Sequence, residues 1–244
     1  MKQNKYDDSA FFERYSQMPR SIKGLNAAGE WYVLHKMLPD LTGKNMLDLG
    51  CGYGWHCIYA KEQGAKRVVG VDLSQKMIEK AKEKSGEYSI EYKQMPIEDI
   101  DFVAEEFDVV FSSLAFHYIQ DLKTVFHKIH ACLKKGGQLV FSIEHPVFTA
   151  RAEQDWYVEA SGNRLHWPLD HYQTEGERHT RFLGHQVIKY HRTLETIINT
   201  LIASNFEIIQ LSEPKPSQEV LKEYPEMKDE MRRPIFLLVS AIKK

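Results

Sequence analysis

The sequence predicts an α/β fold in which helices cover both faces of a largely parallel sheet. Three observations carry this. Short apolar runs and helical patterns alternate at regular intervals between residues 44 and 145. The first apolar run, residues 46–49, passes through Gly50, Gly52 and Gly54 straight into a helical pattern. Hydrophobic residues make up 43% of the 244, enough to fill the core that such a sheet requires.

Residues 1–43 read as a helical cap. Phe11, Phe12 and Tyr15 cluster before a break at Pro19, and a second helix is expected from Ala27 to Met37, burying Trp31, Leu34 and Leu38 until Pro39 ends it. Residues 44–145 form the core. The helix after the glycines carries Ile58, Tyr59 and Ala60 and stops at Gly64. Residues 67–72 are a second buried strand, and Ser74 caps a helix striped with Met77, Ile78 and Ala81. Residues 88–93 alternate like a third strand and residues 107–111 form a buried fourth. Asp121 opens a helix marked by Leu122, Val125, Phe126, Ile129 and Leu133, which residues 134–137 close before a fifth strand at 138–144. Parallel strands joined this way take right-handed crossovers. Residues 146–191 break the rhythm, being rich in His, Trp, Tyr and Arg and poor in aliphatics, and read as an insertion. From 192 the chain closes with a helix begun at Thr193, a strand at 205–211, a charged and Pro-rich connection at 213–233 and a last strand at 234–242. Neither a repeat nor a linker interrupts it, so one domain is expected.

Composition narrows the function. Lys and Arg number 32 against 34 Asp and Glu, a formal charge of -2, which offers no broad footprint for nucleic-acid phosphates. Cys51, Cys57 and Cys132 make no disulfide framework and fit a reducing, cytoplasmic compartment. The polar start lacks the apolar stretch of a signal peptide, and no apolar run is long enough to span a bilayer. A soluble enzyme or binding protein, monomeric or homodimeric, is expected.

The glycine turn lets backbone approach a ligand where a Cβ would collide, and the helix behind it offers free N–H groups. A dinucleotide fingerprint needs its third glycine one place later, where Trp55 stands. Asp48, two residues before Gly50, opposes a phosphate and suits a ligand with a cationic centre. Asp72, at the end of the second strand, is placed to accept ribose hydroxyls.

Residues 47–54 (LDLGCGYG) with residues 71–74 (VDLS) resemble the class I S-adenosylmethionine-dependent methyltransferases of the small-molecule, methyltransferase-11-like type. Residues 97–99, 107–113 and 133–139 resemble that family's later motifs, in order. The likeness covers 44–145 strongly and the closing elements more loosely. It implies a Rossmann-like seven-stranded sheet of order 3-2-1-4-5-7-6 with the last strand antiparallel. S-adenosyl-L-methionine is the implied cofactor and S-adenosyl-L-homocysteine the product. By the same resemblance Gly50, Cys51 and Gly52, with Trp55 beside them, lie against the methionine part, and Asp48 orients it directly or through water. Asp72 holds the ribose. Leu73 and Met77 either flank the adenine or are plain core, and Ile97 offers the adenine edge a backbone N–H. Met95 and Pro96 stand where many relatives place an acid for the adenine amino group, so Glu98 serves or the contact is absent. Ser113 and Leu114 meet the amino group and sulfonium side. Arg20 either clamps the cofactor carboxylate, with Tyr15 as companion, or is a solvated loop arginine.

Methyl transfer from a sulfonium is an in-line displacement that needs a base only if the acceptor must lose a proton. His117 and His145 follow the fourth and fifth strands, where ligands of parallel sheets bind, and either could serve as that base. Their structural alternatives are a lid residue for His117 and a strand-end hydrogen-bonding group for His145. The insertion is the expected acceptor cover, with Trp156, Tyr157, Trp167, Tyr172 and Tyr190 as an aromatic pocket and Arg181 as its cation. The spacings of its histidines fit no zinc pattern, and no metal is expected. The expected activity is methyl transfer to a small-molecule acceptor, without nucleic-acid or membrane partners. The alternatives are a nucleic-acid or protein methyltransferase, or a catalytically silent protein that binds the cofactor.

Overall fold

A computed structural model describes residues 3–244. The cap begins with α1 (Ser9–Ser16), where the Asp8 carboxylate accepts the Phe11 N–H at 2.9 Å, followed by α2 (Pro19–Lys23) and α3 (Trp31–Leu34). The single helix expected over 27–37 is broken: 3-10 turns at Gly24–Ala27 and His35–Met37 flank a short α3. Ala28 is extended, and buried Glu30 pairs with Arg20 just before the helix restarts. Leu34 is buried, whereas Trp31 and Leu38 are only partly so.

Next come β1 (Asn45–Leu49), α4 (Trp55–Glu62), β2 (Arg67–Asp72), α5 (Gln75–Ser85), β3 (Glu91–Gln94), β4 (Phe107–Ser113), α6 (Leu122–Cys132) and β5 (Leu133–Glu144). The insertion holds α7 (Pro146–Thr149) and two hairpins, β6 (Tyr157–Val158) with β7 (Arg164–His166), and β8 (Gly176–Phe182) with β9 (His185–His191). Then follow α8 (Leu194–Ala203), β10 (Phe206–Ser212), α9 (Gln218–Glu223) and β11 (Phe236–Lys243). Residues 134–137, expected to close α6, belong instead to β5. The register shifts between Phe107–Leu133 and Val109–Gln138, and Gly136 at φ +74° sits in the irregular stretch.

The main sheet runs β3-β2-β1-β4-β5-β11-β10, parallel from β3 to β5, with β11 antiparallel to both β5 and β10. With the insertion strands set aside, this is the order that the resemblance implied. Successive residues of a strand face opposite layers. Leu47, Val110 and Phe141 pack with α6 and α8 on one face, while Met46, Phe111 and Val140 pack with the cap and α4 on the other. The strand order reverses between β1 and β4, which leaves a cleft beyond their carboxyl ends.

Candidate active site

The glycine turn occupies this cleft. Gly50, Gly52 and Gly54 have φ of 76°, 52° and 75°. A Cβ on Gly50 would lie 2.6 Å from the Ala115 Cβ, so the turn is packed tightly on the segment after β4. The Gly50 and Cys51 N–H groups donate to the Val71 carbonyl at 2.8 and 2.9 Å. The Gly52 and Ser74 N–H groups each donate to one oxygen of the Asp72 carboxylate at 2.9 Å. Burial pushes this carboxyl up to about 6 against the pull of those N–H bonds. Each oxygen keeps a lone pair for a further donor.

Two cavities, of about 410 and 110 Å³, share Tyr6, Gly50, Asp72, Ala115 and Tyr118. Leu73, Pro96, Ile97 and Glu98 line the smaller one; Arg20, Cys51, Trp55, Met77, Ser113 and Leu114 are among those lining the larger. On the larger wall, Tyr53 OH, Trp55 Nε1 and His56 Nε2 are buried without a hydrogen-bond partner. Buried polar atoms ordinarily find partners, so three in one wall mark a surface that a polar ligand completes. Burial and the Arg20 charge hold His56 neutral, pushed down to about 3. Arg20 is steered to the cavity by Glu30, 1% exposed, whose Oε1 lies 3.2 Å from its guanidinium and also accepts the Ser113 hydroxyl at 3.1 Å.

The opposite wall is built from β5 and the insertion. Lys189 Nζ of β9 lies 2.6 Å from Glu144 Oε1 and 2.9 Å from Gln154 Oε1, and the Gln154 amide donates to Glu144 Oε2 at 3.2 Å. Phe148 and Phe182 complete this wall. Over the cleft lies the segment before α1. Asp7 accepts the Ser74 hydroxyl at 2.5 Å and the Lys76 N–H at 3.1 Å, and Gln3 accepts the Ile188 N–H of β9 at 2.8 Å.

Several sequence expectations need correction. Asp48 does not line either cavity; it is fully buried beneath the turn, where the Cys57 thiol donates to its Oδ2 at 3.3 Å, and burial pushes its carboxyl up to about 7. Met95 lies outside both walls, its N–H on the Asp72 carbonyl and its side chain packed on the core. His145 is a helix cap: its Nδ1 accepts the Val147 N–H at 3.1 Å and its Nε2–H meets Glu213 at 2.7 Å. His117 does line the larger cavity, but its Nδ1 accepts the Glu144 N–H at 3.4 Å. Burial also pushes it down to about 4, so it is a neutral imidazole with the proton on Nε2. Of the expected acceptor pocket, Arg181 lines the larger cavity, whereas Trp156, Tyr157, Trp167, Tyr172 and Tyr190 do not. Trp167 and Trp156 enclose Arg233 instead, at 3.9 and 5.3 Å from its guanidinium carbon. Tyr15 lines the cavity, edge-on to Tyr6 and Tyr53. The residues missed from sequence include Tyr6, Glu30, His56, Phe148, Gln154, Phe182 and Lys189. None of them carries a signal in the sequence: around Lys189 the alternating sets, Val187, Lys189 and His191 against Gln186, Ile188 and Tyr190, each mix polar and apolar residues.

The sheet order, the glycine turn and the strand-end carboxylate define an α/β enzyme that binds a nucleoside-bearing cofactor. Comparison with known proteins agrees. Residues 47–141 match the methyltransferase domain family model. A candidate S-adenosylmethionine-dependent methyltransferase of Listeria monocytogenes is 52% identical over 91% of this chain and 99% of its own, with a TM-score of 0.86. An S-adenosylmethionine-dependent methyltransferase of Mesorhizobium loti is 41% identical over 90% of this chain and all (100%) of its own, with a TM-score of 0.84. Shorter matches include a ubiquinone biosynthesis O-methyltransferase of Bradyrhizobium (38% identical over 44% of this chain and 42% of that protein). A tRNA U34 carboxymethyltransferase of Cellvibrio japonicus is 32% identical over 50% of this chain and 41% of that protein. The chain belongs to the S-adenosylmethionine-dependent methyltransferases, and S-adenosylmethionine is its cofactor.

Proposed function

We propose that the enzyme methylates a small-molecule acceptor held between the strand ends and the insertion. The observation that carries this reading is that one cavity is lined both by the glycine turn and by Glu144, Phe148, Gln154, Phe182 and Lys189. The formal charge of -2 also speaks for a small acceptor rather than RNA. The ubiquinone relative acts on a small molecule and the tRNA relative on RNA, and each matches only about half of the chain.

In this reading Asp72 accepts the ribose hydroxyls, and Leu73, Pro96, Ile97 and Glu98 enclose the adenine. Arg20, held by Glu30, receives the cofactor carboxylate, and Ser113 and Leu114 border its amino group. The cofactor supplies an electrophilic methyl group; the chain supplies alignment and exclusion of water. Incubation with methyl-labelled S-adenosylmethionine and separated metabolite, RNA and protein fractions tests the proposal. Label is expected in the metabolite fraction, and Asp72→Ala should abolish it. Label confined to RNA or protein would overturn the reading.

A further inference from the structure

We propose that Glu144 takes the proton from a hydroxyl-bearing acceptor, with Lys189 and Gln154 as the residues that position its carboxylate. This rests on the small-molecule reading above. Glu144 ends β5 at the carboxyl edge of the sheet and lines the larger cavity with 14% of its side chain exposed. His117 and Tyr118 face it from the segment after β4, Gln154 from the loop after α7 and Lys189 from β9. The Thr180 hydroxyl donates to Gln154 Oε1 at 3.0 Å, so the amide oxygen takes two donors and its nitrogen is turned to the carboxylate.

Lys189 is 2% exposed, and taking two charges out of water costs several kcal/mol per ion. An apolar pair of the same volume would fasten the hairpin to the sheet at least as well, so the ion pair in a cavity wall points to chemistry. The geometry also selects the acceptor. The Lys189 ammonium lies 5.9 and 5.7 Å from the Phe148 and Phe182 ring centroids while bonded to Glu144. The box of carboxylate and aromatic rings that would receive an acceptor ammonium is thus filled by the chain's own cation. His117 is no substitute base, because its free nitrogen is tied to a backbone N–H and its other nitrogen already carries the proton.

The hydroxyl oxygen forms the new C–O bond as the donor's C–S bond breaks, and that electron pair stays on sulfur. The hydroxyl proton passes to Glu144 and leaves to solvent with the product. An alkylated hydroxyl is far more acidic than a carboxylic acid, so an ionised carboxylate is base enough. An amine arrives as an ammonium of pKa about 10 and needs a stronger one.

The test offers the full-length enzyme methyl-labelled S-adenosylmethionine and matched phenols, benzylamines, thiophenols and benzoates, together with RNA and protein fractions. Methylation of the hydroxyl members is expected. Glu144→Gln should lower kcat by about 100-fold or more, with S-adenosylhomocysteine affinity kept. Lys189→Met should move the acid limb of the kcat–pH profile upward by about a unit or more, because Glu144 loses its neutralising partner, and Lys189→Arg should restore it. Glu144→Gln leaves Lys189 unpaired, so Glu144→Gln/Lys189→Met serves as the charge-balanced control and is expected to be equally slow. Retention of kcat within threefold in either folded variant, or methylation of amines, thiols or acids with hydroxyls inert, would overturn the inference and leave the small-molecule reading standing. Label in RNA or protein alone would remove both.

Discussion

Asp72 shows how a single carboxylate sets the pH range of binding. Burial holds its carboxyl up at about 6 in the free enzyme, while ribose hydroxyls need the ionised form as acceptor. Acidification through that value removes the acceptor, so affinity falls as pH falls, towards a limit of about tenfold per unit. Calorimetric titration with S-adenosylhomocysteine is expected to give a Kd that is flat above about pH 7 and rises below 6. Asp72→Asn should flatten the profile and weaken binding at pH 7.5 by about tenfold or more, roughly 1.4 kcal/mol. Asp72 was legible in the sequence because a strand-end acid follows the glycine turn at a fixed interval. Asp48 was not, because position along a strand does not say whether the pleat sends a side chain into the cavity or beneath the turn. Lys189 escaped for another reason: it projects from a seven-residue strand whose inward face is partly polar, so the pattern carries little hydrophobic contrast.

Among the elements, the glycine turn is the least tolerant of change. Gly50→Ala meets both a positive φ and the Ala115 Cβ, and should cost about 2–4 kcal/mol and abolish cofactor binding. Gly52 also has positive φ but would place its Cβ in open space, so Gly52→Ala should cost only about 1 kcal/mol. Urea unfolding beside ligand titration separates the two; equal losses of stability would contradict the packing described. Elements with a clean apolar stripe, α5, α6 and α8, were readable from periodicity. The helix expected over 27–37 was not, because a long-range pairing of Glu30 with Arg20 and Ser113 overrides its local pattern. The β6–β7 hairpin is not legible as strands because both are exposed along their whole length and lack alternation.

On the scale of the molecule, the segment before α1 ties the two sides of the cleft together. Asp7 binds the start of α5, Gln3 binds β9, and Tyr6 lines both cavities. Opening of these ties is expected to accompany cofactor exchange. Asp7→Ala should destabilise the protein by about 1 kcal/mol and speed S-adenosylhomocysteine dissociation several-fold. Hydrogen exchange of residues 3–16 should slow on ligand binding in the wild type and less so in the variant; unchanged dissociation would show that the segment does not gate the site. The order of the seven strands came from motif resemblance, since periodicity alone says which segments are strands and not which are neighbours. Because β11 stands between β5 and β10, the apolar edge of β5 has no partner until the ribosome has made residues 145–243 and released them. At cellular elongation rates that interval lasts on the order of ten seconds. In that window the edge of β5 stands as an unpaired template for association with another chain.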